Sequence, residues 1–155
     1  PSAAVVLADA LKVNANVKAV LTSLDLSENN IKDAGATALA EPLKVNAVLN
    51  NLTLSSNKVG CAGATALADA LKVNAVLNSL DLAGNPIGPT GTIALADSLK
   101  VNAVLNNLNL YHNKIGRAGA TALADALKVN AVLKEQRFGA TASALTKVTV
   151  RHALF

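Results

Sequence analysis

The chain has 155 residues, and alanine (31), leucine (25) and asparagine (17) supply almost half of them. With 52 % apolar residues, 15 % charged and a formal charge of +4, it suits one folded domain and excludes an intrinsically disordered chain. A single cysteine, Cys61, rules out a disulfide scaffold and a multi-cysteine zinc site, and no apolar run approaches the roughly 18 residues of a membrane span.

Residues 1–20 read as an irregular helical half-repeat. Ser2 to Asn14 carries only the helical pattern, and an insertion around Asn16–Val20 separates it from the first strand pattern. The opening has no basic n-region and meets Asp9 early, so it does not read as a signal peptide. Pro1 is not an initiator residue, which predicts a processed product or a piece of a longer array. The lone cysteine points to a reducing compartment, so the expected location is cytoplasmic.

From Leu21 a step of 28 residues governs the chain. Leu21, Leu49, Leu77, Leu105 and Leu133 are equally spaced. The first four open Leu21-Thr-Ser-Leu24-Asp-Leu26-Ser-Glu-Asn29-Asn-Ile31 and its three echoes at Leu49–Val59, Leu77–Ile87 and Leu105–Ile115. Leu52 and Leu54 alternate with Asn51, Thr53 and Ser55, the period-2 mark of a short strand with one buried face. Ala64, Leu67, Ala68 and Leu71 then fall on one helical stripe. One such unit cannot bury both faces, so the units are expected to stack into a parallel sheet backed by helices. Four repeats thus occupy residues 21–132 of a single domain.

Three columns recur at the same step. Asn29, Asn57, Asn85 and Asn113 leave the strands, where a buried amide can satisfy the turn and its neighbour. Asn14, Asn46, Asn74, Asn102 and Asn130 end the helices, which predicts left-handed caps. Asp9–Lys12, Glu41–Lys44, Asp69–Lys72, Asp97–Lys100 and Asp125–Lys128 are expected as exposed ion pairs on the helices. Pro42 breaks the pattern of Ala70, Ser98 and Ala126 and predicts a kink or early loosening of its helix. Beyond Leu133 the strand pattern fails, because Gln136 stands where leucine belongs. Residues 133–155 therefore read as a degenerate cap, with Phe138, Val148, Val150, Leu154 and Phe155 as cover. The net charge of +3 in residues 131–155 lacks the aromatics and dense arginines of a nucleic-acid site, so neither nucleic acid nor membrane is expected as a partner.

Reactive chemistry is sparse. His112 and His152 lie 40 residues apart, without metal-ligand spacing. Gly84-Asn-Pro-Ile-Gly88-Pro-Thr-Gly91 lacks the Gly-Lys-Ser/Thr ending of a phosphate loop and reads as a turn. Asp25 and Asp81 stand at equivalent strand positions two repeats apart, roughly 10 Å, but an open sheet offers no pocket to raise either pKa. Cys61 precedes a helix without a resolving partner. Asn51-Leu-Thr53 is a formal glycosylation acceptor placed on a strand, a coincidence on this reading. No catalytic residue, metal site or cofactor is expected.

The Leu-x-x-Leu-x-Leu-x-x-Asn-x-Ile/Val units, the 28-residue step and the Gly-Ala-x-x-Leu-Ala-x-x-Leu-Lys-x-Asn helices resemble leucine-rich repeat proteins of the ribonuclease-inhibitor-like class. The match spans about residues 3–133 and is similar to arrays in nucleotide-binding immune receptors. The resemblance implies an α/β solenoid, with a curved parallel sheet on its concave side and helices on its convex side, that binds other proteins. The expected surface comprises the outward strand positions Asp25, Asn51, Thr53, Asp81, Asn107 and Asn109, with Glu28, Tyr111 and His112 at the strand exits. Tyr111 and His112 are the expected hot spot. The expected assembly is a monomer or part of a longer array. A duplicated or designed scaffold with no partner would show the same small polar surface. Related arrays include Ran GTPase-activating proteins, which implies stimulation of a partner GTPase as a third reading.

Overall fold

Each repeat step becomes a three-residue strand, a turn and a helix. The computed structural model describes residues 5–9 and 21–139. A helical turn over residues 5–9 (α1) comes first. It is followed by β1 (Ser23–Asp25), α2 (Lys32–Leu43), β2 (Asn51–Thr53), α3 (Cys61–Leu71) and β3 (Ser79–Asp81). Next come α4 (Gly88–Leu99), β4 (Asn107–Asn109), α5 (Gly116–Val129) and β5 (Glu135–Arg137). The strands lie side by side in chain order and every pair is parallel. Parallel neighbours require a crossover, and one helix per repeat supplies it.

The register is the repeat itself. Leu24 pairs with Leu52, Leu52 with Leu80 and Leu80 with Leu108, so the strand leucines stand in single file. Leu52, Leu80 and Leu108 are buried, as are Leu39, Leu67, Leu95 and Leu123 on the helices that face them. The whole stripe Ala64, Leu67, Ala68 and Leu71 is buried as its spacing predicts. One continuous core runs from Ala8 to Phe138. Glycine sets the helix spacing. A Cβ on Gly91 would stand 3.1 Å from Ala64 Cβ and 3.2 Å from Cys61 Cα of the preceding helix, and 2.7 Å from Ile87 Cγ2.

Asparagine amides tie the repeats together. Asn57 Nδ2 donates to Leu26 O (2.7 Å), and its Oδ1 accepts from the amides of Asn29 (2.9 Å) and Ile31 (3.2 Å). Asn85 repeats this one step later, donating to Leu54 O and accepting from Asn57 N and Val59 N. Asn113 donates to Leu82 O, but its Oδ1 is buried without a partner. The turn it reaches carries Pro86, where the other repeats place a left-handed residue (Asn30, Lys58, Lys114). Proline cannot adopt that conformation.

The helix-end asparagines correct the sequence reading. None of Asn46, Asn74, Asn102 and Asn130 is left-handed. Instead, Asn74 Oδ1 accepts from Val76 N (3.0 Å) and Leu77 N (2.7 Å), while its Nδ2 reaches back to Leu43 O (2.6 Å). Asn102 and Asn130 make the corresponding bonds to Leu71 O and Leu99 O. A further column, Asn50–Asn78–Asn106, links side chain to side chain at 2.9 and 3.2 Å. Left-handed geometry is taken up after the strands, at Glu28, Ser56, Gly84 and His112.

Two further expectations change. The helix holding Pro42 is not shortened: α2 runs to Leu43, the same repeat position at which α3 and α4 end. Pro42 lies in the last turn with its ring buried. Its carbonyl accepts from Val45 N (3.2 Å) and Asn46 N (2.9 Å), as Ala70 O does from Val73 N and Asn74 N. The strand pattern also does not fail after Leu133, because β5 adds a fifth strand with Gln136 opposite Leu108. Backbone pairing needs no leucine, and Gln136 Oε1 is buried without a partner in its place. Phe138 is buried as expected of a cover residue. Lys12, Asn14, the insertion around residues 16–20, His152 and the proposed cover at Val148, Val150, Leu154 and Phe155 lie outside the described residues.

The helix ion pairs close at 2.7 Å (Lys44–Glu41, Lys72–Asp69) and 2.6 Å (Lys100–Asp97, Lys128–Asp125). Each is solvent-exposed and therefore contributes little to stability. Beside them Val45, Val73, Val101 and Val129 form an exposed row, 61–66 % accessible.

Replacing Asn85 by Ala strands the Leu54 carbonyl and the amides of Asn57 and Val59 in the core, and is expected to lower stability by about 2–4 kcal/mol. Gly91→Ala is expected to cost about 1–3 kcal/mol by overpacking two helices. Val73→Ser, on the exposed row, should stay within about 0.5 kcal/mol of the parent. Urea unfolding midpoints of the three variants check this ordering.

Candidate functional site

The sheet curves because its two layers have different widths. Strands repeat at about 4.8 Å, whereas helices pack 8–10 Å apart, so the sheet takes the inner side of the bend. Residues flanking each strand leucine point away from the core onto this concave face. Two rows result. Ser23, Asn51, Ser79 and Asn107 are in register across β1 to β4. Asp25, Thr53, Asp81, Asn109 and Arg137 cross all five strands. A hollow of about 540 Å³ is lined by Thr53, Ser79, Asp81, Asn107, Asn109, Gln136 and Arg137.

Hydrogen bonds orient the acidic members of the second row. Asp25 Oδ1 accepts from the Ser27 amide (2.9 Å) and from the Ser27 hydroxyl. The hydroxyl first, and then the amide, hold the Asp25 carboxyl below its ordinary pKa. It therefore stays ionised throughout the neutral range. Ser55 Oγ extends this chain to Ser27 Oγ at 3.0 Å. Asp81 Oδ1 accepts from Ala83 N (2.8 Å) and its Oδ2 from Asn109 Nδ2 (2.9 Å). Asn109 Oδ1 in turn accepts from Tyr111 N at 3.1 Å.

Of the nine expected surface residues, Asp25, Asn51, Thr53, Asp81, Asn107 and Asn109 come together on the concave rows. Tyr111 and His112 stand apart, at the rim beyond β4. Their rings meet edge to face with centroids 4.2 Å apart and planes at 75°. Tyr111 is 49 % exposed, while its carbonyl accepts from Gly84 N at 2.8 Å. Glu28 occupies the same left-handed turn position as His112, three repeats away. Asn51 of the formal glycosylation acceptor lies on β2, with Leu52 beside it buried. Gln136 and Arg137 join the hollow although the leucine pattern ends before them. The signal was present, since a 28-residue step from Leu108 and Asn109 lands on them.

Cys61 is exposed at the first residue of α3. The acceptor at that helix terminus is Asp33, whose Oδ1 takes Gly60 N at 2.7 Å and Gly63 N at 2.9 Å from the repeat before. Among the described residues, no group of three or more His, Cys, Asp or Glu is placed to hold a metal ion. No helix among them is long and apolar enough to cross a membrane.

A family model described as Leucine Rich repeat matches residues 17–40, 73–96 and 101–124. These segments begin in the same register of the 28-residue step. Among curated proteins none matches the sequence. A solved structure described as "Leiomodin-1 Actin-Binding Site 2 (ABS2)" is 24 % identical, with a TM-score of 0.85 over 99 % of this chain and 88 % of that one. The tropomodulin C-terminal domain of Caenorhabditis elegans is 12 % identical, with a TM-score of 0.79 over 95 % of this chain and 93 % of that one. At these identities the likeness is one of fold. The leucine file, the sequential parallel sheet and the matched segments together give this chain the fold of a leucine-rich repeat solenoid.

Proposed function

We propose that the chain is a non-catalytic protein-interaction module whose concave sheet is its contact surface. The observation that carries this reading is the second row. Five strands present Asp25, Thr53, Asp81, Asn109 and Arg137 in register over a core that buries every intervening leucine from Leu52 to Leu108. Polar side chains held in place by their own hydrogen bonds lose little entropy on binding. The shallow, open hollow suits a polypeptide surface better than a small enclosed substrate.

Five strands of three residues span only about 19 Å by 10 Å at the usual spacings. A standard interface buries about 800 Å² per partner. Contact must therefore extend to Glu28, Tyr111 and His112 on the rim, and the unit binds weakly unless it is part of a longer array. The 28-residue step favours the ribonuclease-inhibitor-like type of repeat, and the single cysteine a cytoplasmic setting. On this reading residues 1–155 form one domain, with a half-repeat at the start and a cap at the end. The leiomodin-1 structure is described as an actin-binding site, which makes actin the first partner to assay.

Co-sedimentation with filamentous actin, followed by crosslinking in lysate, tests the reading. Thr53→Arg, which fills the hollow, should weaken capture of the partner at least tenfold at an unchanged urea midpoint. Tyr111→Ala should weaken it about fivefold, the loss of a large, semi-rigid contact. Binding unaltered by Thr53→Arg would overturn the assignment, and capture of no partner would favour a scaffold without one.

A further inference from the structure

The second row has a sign pattern that the fold places at even intervals. Asp25, Asp81 and Arg137 alternate with the neutral Thr53 and Asn109 across five paired strands. At about 4.8 Å per strand the charged positions lie roughly 9.6 Å apart, in the order minus, minus, plus. We propose that this row takes an extended polyproline-II segment carrying two cationic side chains and then an anionic one, each three residues apart. The inference rests on the concave face being the contact surface and names the kind of partner that fits it.

Three features select this occupant. A polyproline-II helix has three residues per turn and rises 3.1 Å per residue, so positions i, i+3 and i+6 share one face at steps of about 9.3 Å. A β-strand turns alternate residues to opposite faces, so i and i+3 cannot both meet the row. An α-helix presents i and i+7 at about 10.5 Å, a step longer than the strand spacing, whereas curvature draws side chains on a concave face closer than their backbones. Width also counts. Strands three residues long give a floor of about 10 Å, which a helix 10–12 Å across would overfill.

Chemistry at the row agrees with the geometry. The Asp25 carboxylate is oriented by Ser27, and that of Asp81 by Ala83 and Asn109, so two acceptors stand pre-positioned for ammonium or guanidinium groups. Arg137 is exposed at the opposite end. Asn51 and Thr53 lie alongside as amide and hydroxyl partners for a backbone that makes no internal hydrogen bonds. Small residues at Ser23, Ser79 and Ala83 let that backbone approach.

The test uses the full chain, isotope-labelled for NMR, titrated at low salt with two end-blocked heptapeptides. One reads Lys-Pro-Pro-Lys-Pro-Pro-Glu and the other is its charge-reversed counterpart, Glu-Pro-Pro-Glu-Pro-Pro-Lys. The first should shift amides along the row and bind at least fivefold tighter than the second. Asp81→Lys should remove or invert that preference in a chain that remains folded by its amide spectrum, as should Arg137→Glu. Equal affinities, shifts confined to other surfaces, or no binding by either peptide would overturn the proposal. If that happened while Thr53→Arg still abolished capture of a crosslinked partner, the concave face would remain the contact surface and only the polyproline-II occupant would be lost.

Discussion

Several backbone amides and carbonyls at the turns and ends of these short strands and helices find their partner only in the neighbouring repeat, and the stack depends on how neighbours satisfy them. The turn amides of Asn29 and Ile31 are answered by Asn57, 26–28 residues on. The last carbonyl of α2, Leu43 O, is answered by Asn74, 31 residues on. A buried polar group without a partner costs about 1–3 kcal/mol, several times an exposed ion pair of the kind that lines the helices. The asparagine columns therefore outweigh the salt bridges in holding the stack, although both recur at every step. They also make stability a nearest-neighbour property, since each amide reaches one repeat and no further.

The same linkage produces the concave surface. Locking each repeat to the next at a fixed offset brings equivalent residues side by side, so a sequence column becomes a row on the sheet. Wider helices on one side and narrower strands on the other bend the row inward. Aspartates 56 residues apart in the chain become next-but-one neighbours, oriented by Ser27 and Ala83. The chemistry of this face is thus written at the two positions flanking each buried leucine.

Most of the architecture could be read from periodicity. The leucine file, the helix stripe through Ala64 and Leu71, the ion pairs and the amide role of Asn57 each appear where spacing places them. Where spacing misleads, one cause recurs: a residue's own preference yields to what the next repeat demands of it. Asparagine tolerates left-handed geometry, yet the Asn74 side chain is needed inward to meet Leu43 O. Pro42 predicts a kink or early loosening, but it falls in the last turn, where its carbonyl still takes the amides of Val45 and Asn46 and the helix runs on to Leu43. Gln136 stands where leucine belongs, yet the strand still pairs with β4, because that pairing runs through backbone atoms. At Asn113 a departure does carry a cost, since Pro86 denies its Oδ1 the partners that Asn57 and Asn85 have.

The sequence alone determined that the chain stacks, how long each unit is, which face of each strand is dry and which residues are offered outward, because a 28-residue period in leucine admits one efficient way of excluding water. Tertiary structure decided what periodicity does not encode. It added the fifth strand, brought Arg137 into line with Asp25 and Asp81, set Tyr111 against His112 on the rim and left Val45, Val73, Val101 and Val129 uncovered. These depend on register and on the relative widths of two layers, which exist only once neighbouring repeats are in contact.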